Sequence, residues 1–217
     1  MNRAVSVASR AVVFDFGAVL FRWQPLALLR GCVPELAADD AQARRLAAQV
    51  FQSLTPDSDW ARFDLGQLAE DELSARIAAR IGVQPAQVRR IVDAIPHHLQ
   101  PLPDSVALLR RLQQSGHRMF FLSNMPAPYA DHLERCNAFV AEFADGIFSA
   151  RVGLIKPDAA IFALAESRFA LDPARTLFID DHPANVDAAR VRGWQALRFA
   201  DAAQAQAELA AADWLGV

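Results

Sequence analysis

At 217 residues, with 53% hydrophobic and 22% charged residues and a formal net charge of -3, the chain has room for one large domain or for a domain with a sizeable insertion. The net charge gives no argument for nucleic-acid binding, and the longest apolar runs, near residues 11–21 and 119–122, are too short or too interrupted to span a bilayer. The opening MNRAVSVASRAVV lacks an unbroken apolar core with a cleavage site, so the expectation is a cytoplasmic protein, monomeric or homodimeric, with neither nucleic acid nor membrane as partner.

In chain order the pattern alternates short apolar strands with amphipathic helices, which signals a parallel sheet covered on both faces. The predicted strands are AVVFDF (11–16), RMFFLS (118–123), a short one near GIFSA (146–150), TLFID (176–180) and QALRF (195–199). About a hundred residues separate the first two, far more than one crossover helix needs. That stretch reads as helices throughout: PLALLRGC, PELAADDAQARRLAAQVF, a turn-like TPDSDWARFDLG, EDELSARIAARIG and PAQVRRIVDAI. The proline-punctuated IPHHLQPLPD (95–104) predicts a semi-rigid hinge back into the core. The expected fold is therefore α/β: a parallel Rossmann-like core over residues 1–22 and 101–217, with an inserted helical cap over 23–100. Such a layout suits enclosure of a small substrate between two bodies.

Two residue types stand out by number. Cys32 and Cys136 stand in no metal-ligand or redox spacing and are expected as buried small hydrophobes. Of the 22 basic residues, 21 are arginine and only Lys156 is lysine, as if one position required a compact ammonium on a flexible stem.

In an open parallel sheet, ligands bind beyond the carboxyl ends of the strands, where strand order reverses. The first strand delivers Asp15 there, the second Ser123 and Asn124, the fourth Asp180 and Asp181, and Lys156 sits in a loop before the next helix. Converging carboxylates repel, and a divalent cation holds them ionised together; hard oxygen ligands without histidine suit magnesium. Ser123, Lys156 and the backbone N–H groups at the starts of the helices after strands one and two would then meet a phosphoryl group.

The segments VVFDFGAVL, FLSN, LIKPD and LFIDDHPAN resemble, in order, the four motifs of the haloacid dehalogenase-like hydrolase superfamily, and the inserted helices stand where its first type of cap belongs. DWARFDLGQLAEDEL is similar to cap sequence in the subgroup containing sugar-phosphate phosphatases such as glucose-1-phosphate phosphatase. The resemblance implies a magnesium-dependent phosphatase of a small phosphorylated metabolite, with Asp15 as nucleophile and Ser123 and Lys156 as catalytic groups binding the phosphoryl group. Asn124, Phe16, Gly17 and Arg22 would complete the substrate site. Asp15, the carbonyl of Gly17 and Asp181 would hold magnesium, and Asp180 would join the metal set as an outer carboxylate, with Asn185 where the motif often has another aspartate.

The chain departs from that pattern at Gly17. Many phosphatases of the superfamily carry there a second aspartate that protonates the leaving group and activates water, a function worth about 10² to 10⁴ in rate. His182, a cap residue or bound water could assume part of it, whereas His97 and His98 are expected not to be ligands. Two other readings stay open. A 2-haloacid dehalogenase would use Asp15 without metal, with Arg22 and Trp23 holding the substrate, but its empty carboxylates would repel an anion. A catalytically weak binding or regulatory protein would keep the fold without the chemistry. Specificity is expected on the cap, with Arg22, Trp23, Trp60, Arg62, Phe63 and Asp64 as candidates, Trp60 and Phe63 having the spacing of a packing pair.

Overall fold

The computed structural model describes residues 10–52 and 57–215. Its centre is a five-stranded sheet of β1 (Ala11–Phe14), β2 (Arg118–Ser123), β3 (Asp145–Phe148), β4 (Thr176–Asp180) and β5 (Gln195–Arg198), all parallel, in the order β3-β2-β1-β4-β5. AVVF in β1 and Leu177–Ile179 within β4 are continuous apolar runs because each face is covered. Val12, Phe14, Phe121 and Ile179 enter the core on one face; Val13, Phe120, Leu122 and Phe178 enter a second cluster on the other.

Between β1 and β2 the chain forms α1 (Pro25–Cys32), α2 (Asp40–Phe51), α3 (Asp59–Asp64), α4 (Glu70–Ile81) and α5 (Pro85–His98), a helical cap, before α6 (Pro103–Gln114) returns to the sheet. The core continues with α7 (Ala127–Cys136), a short α8 (Ser149–Val152), α9 (Ala159–Phe169), α10 (Pro183–Val191) and α11 (Ala202–Ala211). One apolar cluster runs from the sheet face through Leu109 and Leu133 into Leu29, Leu73 and Ile91 of the cap.

Several expectations shift. The turn-like TPDSDWARFDLG, whose first two residues lie outside the described ones, contains α3, because Ser58 Oγ accepts the Ala61 N–H at 3.0 Å while Trp60 and Phe63 are buried. The hinge is shorter than expected, since α5 continues through Pro96 to His98. A proline there leaves the carbonyl of Val92 without its helical partner, and the hydroxyl of Tyr129 in α7 donates to that carbonyl at 2.9 Å. PELAADD does not begin a helix; α2 starts at Asp40, with Asp39 accepting the Gln42 N–H at 2.7 Å. β1 ends at Phe14 and β3 at Phe148, where Ser149 starts α8. Cys136 is exposed at the end of α7 and Cys32 is half-buried, so neither is the buried hydrophobe expected.

Candidate active site

β1 is flanked by β2 and β4, and chain order reverses between β1 and β4, so three strand ends open onto one crevice. Asp15 follows β1 directly, its N–H donating to Ile179 O at 2.9 Å; Ser123 ends β2 and Asp180 ends β4. Lys156 enters from the loop between α8 and α9. Its ammonium lies 2.9 Å from Asp15 Oδ1 and 2.7 Å from Asp180 Oδ2, with 1% of the side chain exposed. Asn124 fixes that loop: its Nδ2 donates to Lys156 O at 3.0 Å and its Oδ1 accepts the Lys156 N–H at 2.8 Å. The carboxamide expected to bind substrate lines the crevice and also positions the lysine.

Asp180 is wholly enclosed. Its Oδ2 accepts from Lys156 and Asn185, and its Oδ1 from the N–H of His182 at 2.8 Å and from Asn185 at 3.1 Å. Asp180 therefore stands behind the lysine and not at the open face. Asp181 is half-buried and lines the crevice, as does Gly17. Carboxylate oxygens of Asp15, Asp180 and Asp181 lie within 4.8 Å of one another. Burial, reinforced by Asp180 and Asp181, pushes Asp15 up to about 7 against the opposing pull of Lys156. Burial likewise raises Asp181, with Asp180 adding to it. For Lys156, burial favours the neutral amine, but Asp15 and Asp180 outweigh it and hold the ammonium above its ordinary range.

The hydroxyl of Ser123 is buried with no hydrogen-bond partner among the described residues. Such an orphan at a strand end is the mark of a site completed by a ligand. The donor set also fits a hard divalent cation: with all three carboxylates ionised against one ammonium, two net negative charges remain for a cation to offset, and Asp15 and Asp181 face the crevice.

Other expected residues are placed differently. Phe16 is buried in a ring cluster, 4.6 Å from Phe121 and 5.3 Å from Phe148 between centroids, which leaves its backbone alone for a ligand. Arg22 is exposed and outside the crevice lining, because its backbone N–H pairs with Gln100 O at 2.8 Å at the edge of the cap. After β1 the chain makes a tight turn, with the N–H groups of Val19, Leu20 and Phe21 on Phe16 O, and α1 waits until Pro25; no helix start faces a ligand there. Nothing lies within 4 Å of a Cβ built at Gly17, so packing does not require glycine at that position.

From the cap, Trp23, Trp60 and Asp64 line the crevice, whereas Phe63 is buried against Tyr129 and Arg62 is half-exposed outside it. His182 is exposed at the start of α10, at the rim. His98 Nε2 accepts the Gln24 N–H at 3.1 Å, and His97 packs against His132. Ile95, Leu99, Met125 and Tyr129 also line the crevice and were not singled out from sequence. Met125 follows Asn124 directly and was within reach of that argument; the other three join it only through tertiary packing.

A parallel α/β core, a helical cap and paired acidic and lysine side chains at the strand ends define a hydrolase of the haloacid dehalogenase type. The family model "haloacid dehalogenase-like hydrolase" matches residues 10–193, and the chain belongs to that family. It is 27% identical over 193 residues to the sesquiterpene phosphatase astK of Aspergillus oryzae, spanning 88% of this chain and 90% of that one. Among solved structures it is similar in fold to a HAD family enzyme of Bacteroides thetaiotaomicron in complex with magnesium and inorganic phosphate, with 20% identity, coverage of 88% and 93%, and a TM-score of 0.65. The L-2-haloacid dehalogenase of Xanthobacter autotrophicus with chloropropionic acid covalently bound is similar in fold too, with 20% identity, coverage of 96% and 85%, and a TM-score of 0.62. No helix among the described residues is long and apolar enough to cross a membrane.

Proposed function

We propose that the protein is a magnesium-dependent phosphatase acting on a small phosphomonoester, with residues 1–22 and 101–217 as catalytic core and 23–100 as substrate-enclosing cap. The observation that carries this reading is the charge balance of the floor: the carboxylates of Asp15, Asp180 and Asp181 lie together, and a single ammonium, that of Lys156, pairs with the first two. Asp15, Asp181 and the carbonyl of Gly17 would hold the magnesium ion, which supplies charge neutralisation for the phosphoryl oxygens. Asp15 attacks phosphorus through a carboxylate oxygen, forming an acyl phosphate as the leaving oxygen departs; water then displaces phosphate from Asp15. Lys156 orients Asp15 and offsets charge on the transferring group, Asp180 and Asn185 hold Lys156 in place, and the unpaired Ser123 hydroxyl donates to a phosphoryl oxygen.

The organic part of the ester would lie against Trp23, Trp60, Ile95, Leu99, Met125 and Tyr129. These are surfaces for an apolar group and offer little to sugar hydroxyls, which supports a hydrophobic phosphate over glucose 1-phosphate and agrees with a relative named for a sesquiterpene. Two unpaired cysteines are in keeping with a reducing, cytoplasmic setting.

A 2-haloacid dehalogenase would have to bring a carboxylate substrate onto a floor that already holds surplus negative charge. Purified protein assayed with p-nitrophenyl phosphate and with 2-chloropropionate, each with magnesium and with EDTA, separates the readings. Phosphate release that EDTA and Asp15→Asn both abolish is the expected result. Chloride release indifferent to EDTA would replace this function by the dehalogenase.

A further inference from the structure

Expulsion of an alkoxide from phosphorus needs a proton at the departing oxygen, and position 17, beside the nucleophile, carries no side chain to give one. The titratable groups lining the crevice are Asp15, Asp64, Tyr129, Lys156, Asp181 and His182. Asp15 is committed to phosphorus, Lys156 to two carboxylates, and Asp181 faces the cation site. Tyr129 already donates its hydroxyl proton to Val92 O. His182 is at the solvent-exposed rim.

Asp64 is different from all of these. It is 3% exposed, it lines the crevice from the cap, and its carboxylate takes part in no hydrogen bond or ion pair among the described residues. Burial, reinforced by the charge of Asp15 and opposed by Lys156, pushes it up to about 8, so the proton-carrying form prevails at neutral pH. Its backbone is anchored to the core. The Ser149 hydroxyl donates to Asp64 O at 2.5 Å and accepts the N–H of Met125 at 2.9 Å, which ties α3 to the segment that follows Ser123. Two residues on, Gly66 presses on Ala150: a Cβ there would sit 2.8 Å from the Ala150 carbonyl oxygen. The cap thus holds a free carboxyl group in the same crevice as Asp15 and Lys156, within reach of their charges, by contacts that do not use the carboxyl group itself.

We propose that Asp64 is the general acid and base of the reaction, supplied by the cap, and this rests on the phosphatase reading above. As the Asp15–phosphorus bond forms and the phosphorus–oxygen bond of the ester breaks, the Asp64 proton goes to the leaving oxygen, releasing an alcohol. In the second step water attacks phosphorus, the Asp15–phosphorus bond breaks to release phosphate, and a proton from the water returns to Asp64.

The test compares kcat/KM for an alkyl ester, n-hexyl phosphate, with that for p-nitrophenyl phosphate, whose leaving group needs no proton. Asp64→Asn should lower the alkyl value by about 100-fold or more and the aryl value by less than about tenfold, the difference expected of general acid catalysis. Asp64→Ala, which removes the carboxyl together with its desolvation cost, must show the same split, and both variants should keep the far-UV circular dichroism of the parent. Equal losses on the two esters, or an unchanged alkyl value, would overturn the assignment while leaving the phosphatase intact. A parent protein that releases phosphate from neither ester would overturn the phosphatase reading and the assignment with it.

Discussion

Lys156 joins Asp15 and Asp180 with almost none of its side chain exposed, and the ring of Phe178 lies 5.4 Å from the ammonium. A guanidinium is larger, planar and fixed in its donor directions, so it cannot occupy this enclosed point between two carboxylates without displacing one of them. Lys156→Arg keeps the charge and should still lower phosphatase kcat/KM by more than about 100-fold, through misplacement of Asp15. The same change should cost about 1–3 kcal/mol in urea unfolding, the usual cost of an overfilled interior. Near-parental turnover in that variant would show that charge alone matters at this position. Asp15, Ser123, Lys156, Asp180 and Asp181 were legible in the sequence because each ends, or directly follows, a local feature: an apolar run closing on a polar residue, or a lone lysine in an arginine-rich chain. Asp64 was legible only as one of six cap candidates. Nothing in DWARFDLG shows that its carboxyl group is buried and unpaired, since both properties arise when α3 docks on α8.

At the scale of elements, the docking of α3 depends on a backbone approach that a side chain would block. Gly66 has φ +71 in addition to its contact with Ala150. Gly66→Ala therefore meets both a left-handed conformation and a clash, and should destabilise the protein by about 1–3 kcal/mol in urea unfolding. Gly17→Ala is the contrast, with open space at its Cβ and an ordinary φ, and should stay within about 0.5 kcal/mol of the parent in the same measurement. Comparable losses in the two would mean that the α3 turn does not rest on close packing at Ala150. The core strands were readable because double-sided burial writes a continuous apolar run. Boundaries in the cap were less readable for a tertiary reason: Pro96 reads as a helix stop, yet α5 passes through it because Tyr129 of α7, 37 residues after Val92, satisfies the carbonyl that the proline frees.

Across the whole molecule, cap and core share one apolar cluster, and the crevice is a gap in that shared interior with a charged floor and apolar walls. Trp23, Trp60, Ile95 and Leu99 come from the cap, Met125 and Tyr129 from the core. Under the proposed function, a phosphomonoester would have its charged end on Lys156 and Ser123 and its organic group between the two bodies. Each methylene moved from water onto those walls contributes about 0.8 kcal/mol, or close to fourfold in kcat/KM where the contact is made in the transition state. Across a series from methyl to n-hexyl phosphate, kcat/KM should therefore climb by about fourfold per carbon until the walls are covered, and then level off. Glucose 1-phosphate, whose hydroxyls would lose water against tryptophan and leucine and meet few polar partners there, should fall well below the hexyl ester. Steady-state phosphate release measures both. A flat alkyl series, or a preference for the sugar ester, would mean that the cap opens or rearranges so far on binding that the walls seen here do not surround the substrate.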